Sequence, residues 1–205
     1  MAAGERRDQA APADGGRARL LELLATRAYL YRPERPFTLA SGAQSDFYLD
    51  ARVVTWDPEA KPLIGALVHR VIAGKADAVG GLTLGADPIA GAVAYYGQTV
   101  GAPLRAFTVR KQVKEHGTGR WIEGSIRPGD RVAIVDDVVT TGTSTLDAID
   151  RCREAGHAIV AVVVLIDREE GGLPRVEAAV SGVPCVALFA RSELERRARA
   201  DHAAR

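Results

Sequence analysis

Asp136 and Asp137 are followed directly by Val138, Val139, Thr140, Thr141, Gly142, Thr143 and Ser144, and the whole run leaves an apolar stretch, RVAIV, at 131–135. Hydroxyls and free backbone amides at the start of a helix form an anion site, which the helix dipole reinforces. Gly142 lets the main chain turn tightly and come close to a ligand. Two carboxylates just upstream would repel a phosphate, so they must face something else. The vicinal hydroxyls of a ribose fit, and so does an outer-shell role around a divalent ion. The pattern implies a ribose 5-phosphate group. Helix capping accounts for one of these residues, not for nine consecutive small or acidic ones. No G-x-G-x-x-G follows any strand and the G-x-x-x-x-G-K-[ST] pattern is absent, which disfavours a dinucleotide or nucleoside-triphosphate loop.

A second chemical segment lies upstream. RKQVKEHGTGR carries Arg110, Lys111, Lys114, His116 and Arg120 together with two glycines. Of 27 basic residues only four are lysine (Lys61, Lys75, Lys111 and Lys114), so half of the lysines fall within four positions of each other. Mobile cations can neutralise the charge that grows on a departing pyrophosphate. Lysine suits such a point-charge contact better than the rigid fork of arginine. A segment that closes over the site would also keep water from a cationic sugar intermediate. A solvated surface loop is the plain alternative for a charge run; beside a phosphate motif the functional reading prevails. Arg168 follows the apolar run 158–166, where a guanidinium could hold a planar carboxylate or ring carbonyls in a bidentate pair. GGLTLGADPIAG (80–91) sets glycines before a helix start, either to bring amides near pyrophosphate or to let helix and sheet pack closely. His69 and His157 read as structural, His202 as terminal, and Cys152 as packed.

The elements that must hold these residues follow from periodicity. Residues 1–16, rich in Ala, Gly and charge, read as a disordered tail before a single domain over 17–205. Leu20, Leu21, Leu24 and Ala28 give a helical spacing that ends before RPERP. The stretch 37–52 reads as two short strands around a Ser-Gly turn. Beyond it, helices at 58–74, 87–96 and about 144–155 alternate with strands at 77–84, 103–109, 131–135, 158–166 and 185–190, and an Arg-rich helix closes the chain. Strands that are apolar throughout and separated by helices imply a parallel sheet covered on both faces, hence an α/β fold. In such sheets ligands sit where strand C-termini meet helix N-termini.

Composition narrows the partners. The 205 residues carry 27 Lys+Arg against 26 Asp+Glu, a net charge of +1. That balance gives no bulk reason to expect a nucleic-acid or membrane partner. The longest apolar run, 158–166, is far shorter than the roughly 20 residues of a membrane helix. Arg6-Arg7 precedes Asp8 and Gln9 rather than an apolar stretch, so no export signal is read there. Cys152 and Cys185 form neither a disulfide framework nor a metal motif. A cytoplasmic location is expected.

DDVVTTGTS resembles the signature of the type I phosphoribosyltransferases, which bind 5-phosphoribosyl 1-diphosphate (PRPP). FTLASGAQSDFYLD (37–50), VRKQVKEHGTGRWIEG (109–124) and IDREEG (166–171) are similar to segments of the orotate phosphoribosyltransferase family, in order over about 17–190. The resemblance implies a central, mostly parallel sheet flanked by helices, with a small N-terminal hood over the site. It implies that PRPP is bound by Arg110, Lys111, Lys114, His116 and 136–144, that Lys114, Lys111 and His116 serve catalysis, and that Thr140, Arg168, Tyr48 and Leu49 hold orotate. Mg²⁺ would ride on PRPP with no direct protein ligand. The loop 110–120 would reach the neighbouring site of a homodimer. Two positions depart from the family: Ala40 stands where many members have lysine, and Leu84-Gly85 where many have Tyr-Lys.

Overall fold

The computed structural model describes residues 15–32, 34–38, 42, 44–112 and 120–203. Its centre is a six-stranded sheet of β5 (Ala78–Leu82), β6 (Arg105–Val109), β7 (Ile122–Gly124), β8 (Arg131–Val139), β9 (Ala158–Asp167) and β10 (Cys185–Ala190), in the order β10-β9-β8-β5-β6-β7. All neighbours are parallel except β7, which runs antiparallel to β6 at the edge. The inner strands are built from Val, Ile and Ala, and alternate residues go to opposite faces. Ala133 and Val135 of β8 join one buried cluster while Val132 and Ile134 join the other. The first cluster is covered by α1 (Gly15–Leu23), α3 (Ala60–Ile72), α4 (Ala86–Thr99) and α7 (Arg191–Ala203); the second by α5 (Thr143–Glu154) and α6 (Gly172–Ala179). Each fully buried Val or Ile contributes roughly 1.5–3 kcal/mol of transfer free energy. The two faces together anchor the strand ends that carry the site.

A hood is added by β1 (Tyr29–Tyr31), β2 (Phe37–Thr38), β3 (Gln44–Ser45), β4 (Phe47–Leu49) and the short helix α2 (Arg52–Thr55). The segment 37–52 therefore holds three strands and a helical turn rather than two strands. β2 pairs with β3, but β4 pairs with β1, with Tyr29 opposite Leu49 and Tyr31 opposite Phe47. The pairing of β1 with a strand so far along the chain leaves no local period to read. Tyr29 stacks on Phe47 at 5.4 Å between ring centroids, which gives this two-stranded piece its packing. The first helix starts at Gly15, inside the stretch read as tail, and its last turn, Leu24–Ala28, is a π-helix. Residues 1–14 lie outside the described residues.

Three further differences have simple causes. β7 is a half-exposed edge strand of three residues, too short for a pattern. α6 is introduced by Gly171 at φ +86° and buries Val176 on a mostly exposed surface, so its apolar face is narrow. β8 continues through Asp136 and Asp137 to Val139, since hydrogen bonding to β9 persists as far as Val139 opposite Asp167. His69 Nε2 donates to the Ala102 carbonyl at 2.9 Å and His157 Nδ1 to that of Asp130 at 3.3 Å, both buried as structural histidines. Cys152 is fully buried and its thiol is pushed up to about 12 by desolvation, which leaves it inert.

Candidate active site

The chain enters the sheet at β5, adds β6 and β7 on one side, then crosses to place β8 on the other. This reversal opens a crevice at the strand C-termini, the usual ligand position in open parallel sheets. A cleft of about 300 Å³ lies there, lined from the end of β5 by Leu82, Thr83, Leu84 and Gly85, and past β6 by Lys111. β8 and the turn after it supply Asp136, Asp137, Val138, Thr140 and Ser144; Arg168 follows β9, and Leu49, Asp50, Ala51 and Arg52 come from the hood. Residues from five separate stretches of sequence thus meet in one crevice.

Asp136 is almost wholly buried at 5% exposure. Thr145, in the first turn of α5, donates its hydroxyl to Asp136 Oδ2 at 2.8 Å, and the Asp137 amide donates to Oδ1 at 3.0 Å. Asp137 Oδ1 accepts from the Val138 amide at 2.9 Å. Burial, and then the adjacent Asp137 charge, raise the Asp136 carboxyl well above the ordinary carboxylate range; burial also raises Asp137. A Cβ placed on Gly85 would fall 2.6 Å from Asp137 Oδ1 and 3.0 Å from Asp136 Oδ1. The absence of a side chain at 85 is therefore matched to the aspartate pair, and the lysine that many family members carry here would need Asp137 to move. Asp87 steadies this wall by accepting from Thr83 Oγ1 at 2.7 Å and Thr108 Oγ1 at 2.5 Å. Gly80 and Gly81 serve packing instead: a Cβ at either would lie 2.2 Å from the carbonyl oxygen of Phe107 or Val135. Within 80–91, then, Gly80 and Gly81 serve close packing, and 82–85 form a wall of the cleft.

The anion turn is built from main chain. Gly142, at φ +79°, is the N-cap of α5 and its carbonyl accepts from Leu146 at 2.9 Å. No side chain caps the helix start, so its first amides remain for a ligand. Thr141 and Thr143 share a hydroxyl contact of 3.1 Å.

After β9, Arg168 is held by its backbone amide, which donates to the Val139 carbonyl at 3.0 Å, beside the start of this turn. Its Nη2 pairs with Glu170 at 2.7 Å, and its guanidinium lies 5.5 Å from the Phe47 ring centroid. Arg168 Nε is buried with no hydrogen-bond partner among the described residues. A buried charged donor left without an acceptor is costly; a planar anionic ligand is the kind of partner that removes the cost.

Not every residue assigned from sequence faces the cleft. Val139 is 1% exposed and packs in the core, so only its main chain serves the site. Tyr48 packs its ring 5.7 Å from Phe37 while its neighbour Leu49 lines the cleft. Arg110 donates to Glu123 at 2.6 Å, fixing the base of the basic segment on β7. Lys114 and His116 lie outside the described residues, as does Ala40. Arg52 was missed: it lines the cleft and grips Asp50 through Nε and Nη2 at 2.8 and 2.9 Å. The only local signal was the two-residue spacing of Asp50 and Arg52.

The chain matches the family model described as Phosphoribosyl transferase domain over residues 60–192. It is similar to an orotate phosphoribosyltransferase of Aquifex aeolicus, with 44% identity over 87% of this chain and 97% of that one. Among solved structures it is similar to the Mycobacterium tuberculosis orotate phosphoribosyltransferase in complex with Fe(III) dicitrate, at TM-score 0.77 and 38% identity over 87% of this chain and 98% of that one. The same M. tuberculosis enzyme in complex with PRPP aligns at TM-score 0.73 and 36% identity over 88% and 99% of the two chains. With the strand order, the aspartate pair leading into a glycine turn and an arginine lining the same cleft, these likenesses place the chain in the orotate phosphoribosyltransferase family.

Proposed function

We propose that the protein transfers the 5-phosphoribosyl group of PRPP to a ring nitrogen of orotate, giving orotidine 5′-phosphate and pyrophosphate, a step of pyrimidine nucleotide synthesis. The observation that carries the reading is the buried Nε of Arg168, without a hydrogen-bond partner among the described residues, in a cleft also lined by the aspartate pair, Thr140 and Ser144. The 5-phosphate binds the amides and hydroxyls of 141–144. The ribose hydroxyls face Asp136 and Asp137. Arg168 takes the orotate carboxylate, with Thr140 and the main chain of 48–49 orienting the ring. Held this way, the two reactants meet with little protein acid–base chemistry.

Mg²⁺ fits the donor set. The aspartate pair offers too few oxygens for an octahedral shell, so diphosphate and ribose oxygens of PRPP would hold the ion, with Asp136 and Asp137 nearby rather than as direct ligands. When bound, the ion would supply charge neutralisation at the diphosphate. Lys111, which lines the cleft, together with Lys114 and His116, neutralises charge on the departing pyrophosphate. The reading includes a cytoplasmic homodimer in which segment 110–120 serves the neighbouring site. Mixing two strongly impaired variants, Lys114→Ala and Arg168→Ala, then restores part of the activity, because one mixed site receives both native residues.

The test is purified protein with PRPP and Mg²⁺, following the near-ultraviolet absorbance of orotate, in parallel with uracil, hypoxanthine and adenine. Turnover with orotate alone, lost on chelation, is the expected result. Turnover only with another base overturns the assignment of Arg168.

A further inference from the structure

Arg175 stands on α6, more than thirty residues beyond the anion turn, yet its Nη1 donates to the Thr141 carbonyl at 3.1 Å and to Thr143 Oγ1 at 3.4 Å. We propose that Arg175 is a positioning residue that presets the 141–144 turn for the 5-phosphate of PRPP. The inference rests on the proposed placement of that phosphate.

Two glycines bring the helix this close. A Cβ on Gly172 would fall 2.4 Å from the Thr140 carbonyl oxygen, and one on Gly142 would fall 2.9 Å from that of Gly172. With no side chain between them, α6 lies directly against the turn, and Arg175 reaches across it. One guanidinium nitrogen then ties a carbonyl and a hydroxyl two residues apart, fixing the turn that starts α5. Thr143 Oγ1 has one proton and two lone pairs. Accepting from Arg175 uses one lone pair; with Thr141 Oγ1 donating across their 3.1 Å contact into the other, the Thr143 proton is left for an anion.

The charge matters as well. Arg151, on the neighbouring helix, is paired with Glu154 at 2.7 Å, and Arg168 and Arg191 also have acidic partners. Among the described residues Arg175 has no carboxylate within 4.0 Å. Its charge therefore stands beside the turn without a neutralising acid, where it favours a dianion over a neutral sugar.

The experiment uses the full chain with Arg175→Gln and Arg175→Lys. Titration with ribose 5-phosphate, and PRPP saturation at fixed orotate, are the two readouts. For Arg175→Gln the expectation is a rise of about 10-fold in ribose 5-phosphate Kd and in PRPP KM, the scale of a charged hydrogen bond. The kcat value and the orotate KM stay within about 2-fold, since the turn carries no reacting bond. Arg175→Lys keeps the charge and recovers part of the loss. Unchanged Kd and PRPP KM in Arg175→Gln overturn the proposal, as does a fall in kcat with PRPP KM unchanged. Should Arg175→Gln melt below assay temperature, the lysine variant decides alone: Kd and PRPP KM both at the wild-type value overturn the role, and an intermediate rise supports it. A wild type that binds ribose 5-phosphate but turns over another base unseats only the orotate assignment. A wild type that does not bind ribose 5-phosphate sinks the Arg175 role itself.

Discussion

At one end of the cleft, residues 140–144 form a continuous turn whose shape is set by Gly142 at φ +79° and by the first amides of α5. Where the cleft meets the hood, Arg168 lies 5.5 Å from the Phe47 ring, Phe47 stacks on Tyr29, and Arg191 of the last helix lies 5.2 Å from the same ring. The anion end is mostly backbone within one segment, carried by β8 and α5, with Arg175 of α6 as its brace from elsewhere in the chain. The base end is assembled from β9, β4, β1 and α7, each from a different part of the chain, and it exists only when the sheet, the hood and the C-terminal helix have docked. The contrast assigns tasks: a group common to many reactions is held by a local motif, whereas the discriminating group is held by tertiary packing.

The sharpest test of this division is Arg168→Ala. It should reduce kcat/KM for orotate by about 100-fold, the scale of losing a desolvated charge-assisted pair, while ribose 5-phosphate affinity stays near wild type. Equal losses at both ends would mean that the two are not separate. Next in size is Gly142→Ala, which puts a Cβ at positive φ and 2.9 Å from the Gly172 carbonyl oxygen. It should cost about 1–3 kcal/mol of stability, lower Tm by several degrees and raise PRPP KM, with the orotate KM little changed.

Gly85→Ala probes the aspartate pair. Its methyl would displace Asp137 Oδ1, so a several-fold fall in turnover is expected with nearly unchanged Tm; kinetics and a melting curve on one preparation check it. Phe47→Leu loosens the base end alone, removing the stack on Tyr29 and the ring beside Arg168. A loss of about 1 kcal/mol should appear as a several-fold rise in orotate KM with PRPP KM unchanged.

The smallest effect lies at the opposite edge of the sheet and serves as a control on both ends. Asp77 accepts from Arg131 Nε, Nη2 and the backbone amide, each at 3.0 Å, and its carboxyl is lowered to about 2 chiefly by that side chain. A carboxylate lowered on folding adds stability above its unfolded value of about 4. That contribution disappears as the pH falls through the folded value. Wild type should therefore melt slightly above Asp77→Asn at pH 6, and the gap should close between pH 4 and 2, with activity at pH 7 the same in both. A gap that widens in acid would contradict the assignment.

The nine residues 136–144 were legible because every part of their chemistry is local. An apolar strand delivers carboxylates, a glycine turns the chain, and hydroxyls precede a helix, all within reach of one another along the backbone. The α/β class was legible for the same reason: the Val- and Ile-rich runs and the helical spacing between them have periods the chain displays itself. Tertiary structure alone decided the rest. It set β1 against β4, put Gly85 over the aspartates, turned Arg110 toward Glu123, buried Arg168 Nε without a partner among the described residues and brought Arg175 onto the phosphate turn. None of these has a sequence period, since each is a contact between segments whose separation is fixed by how the whole sheet and its helices pack. The sequence therefore determined which groups the cleft could use, and packing determined which of them face it.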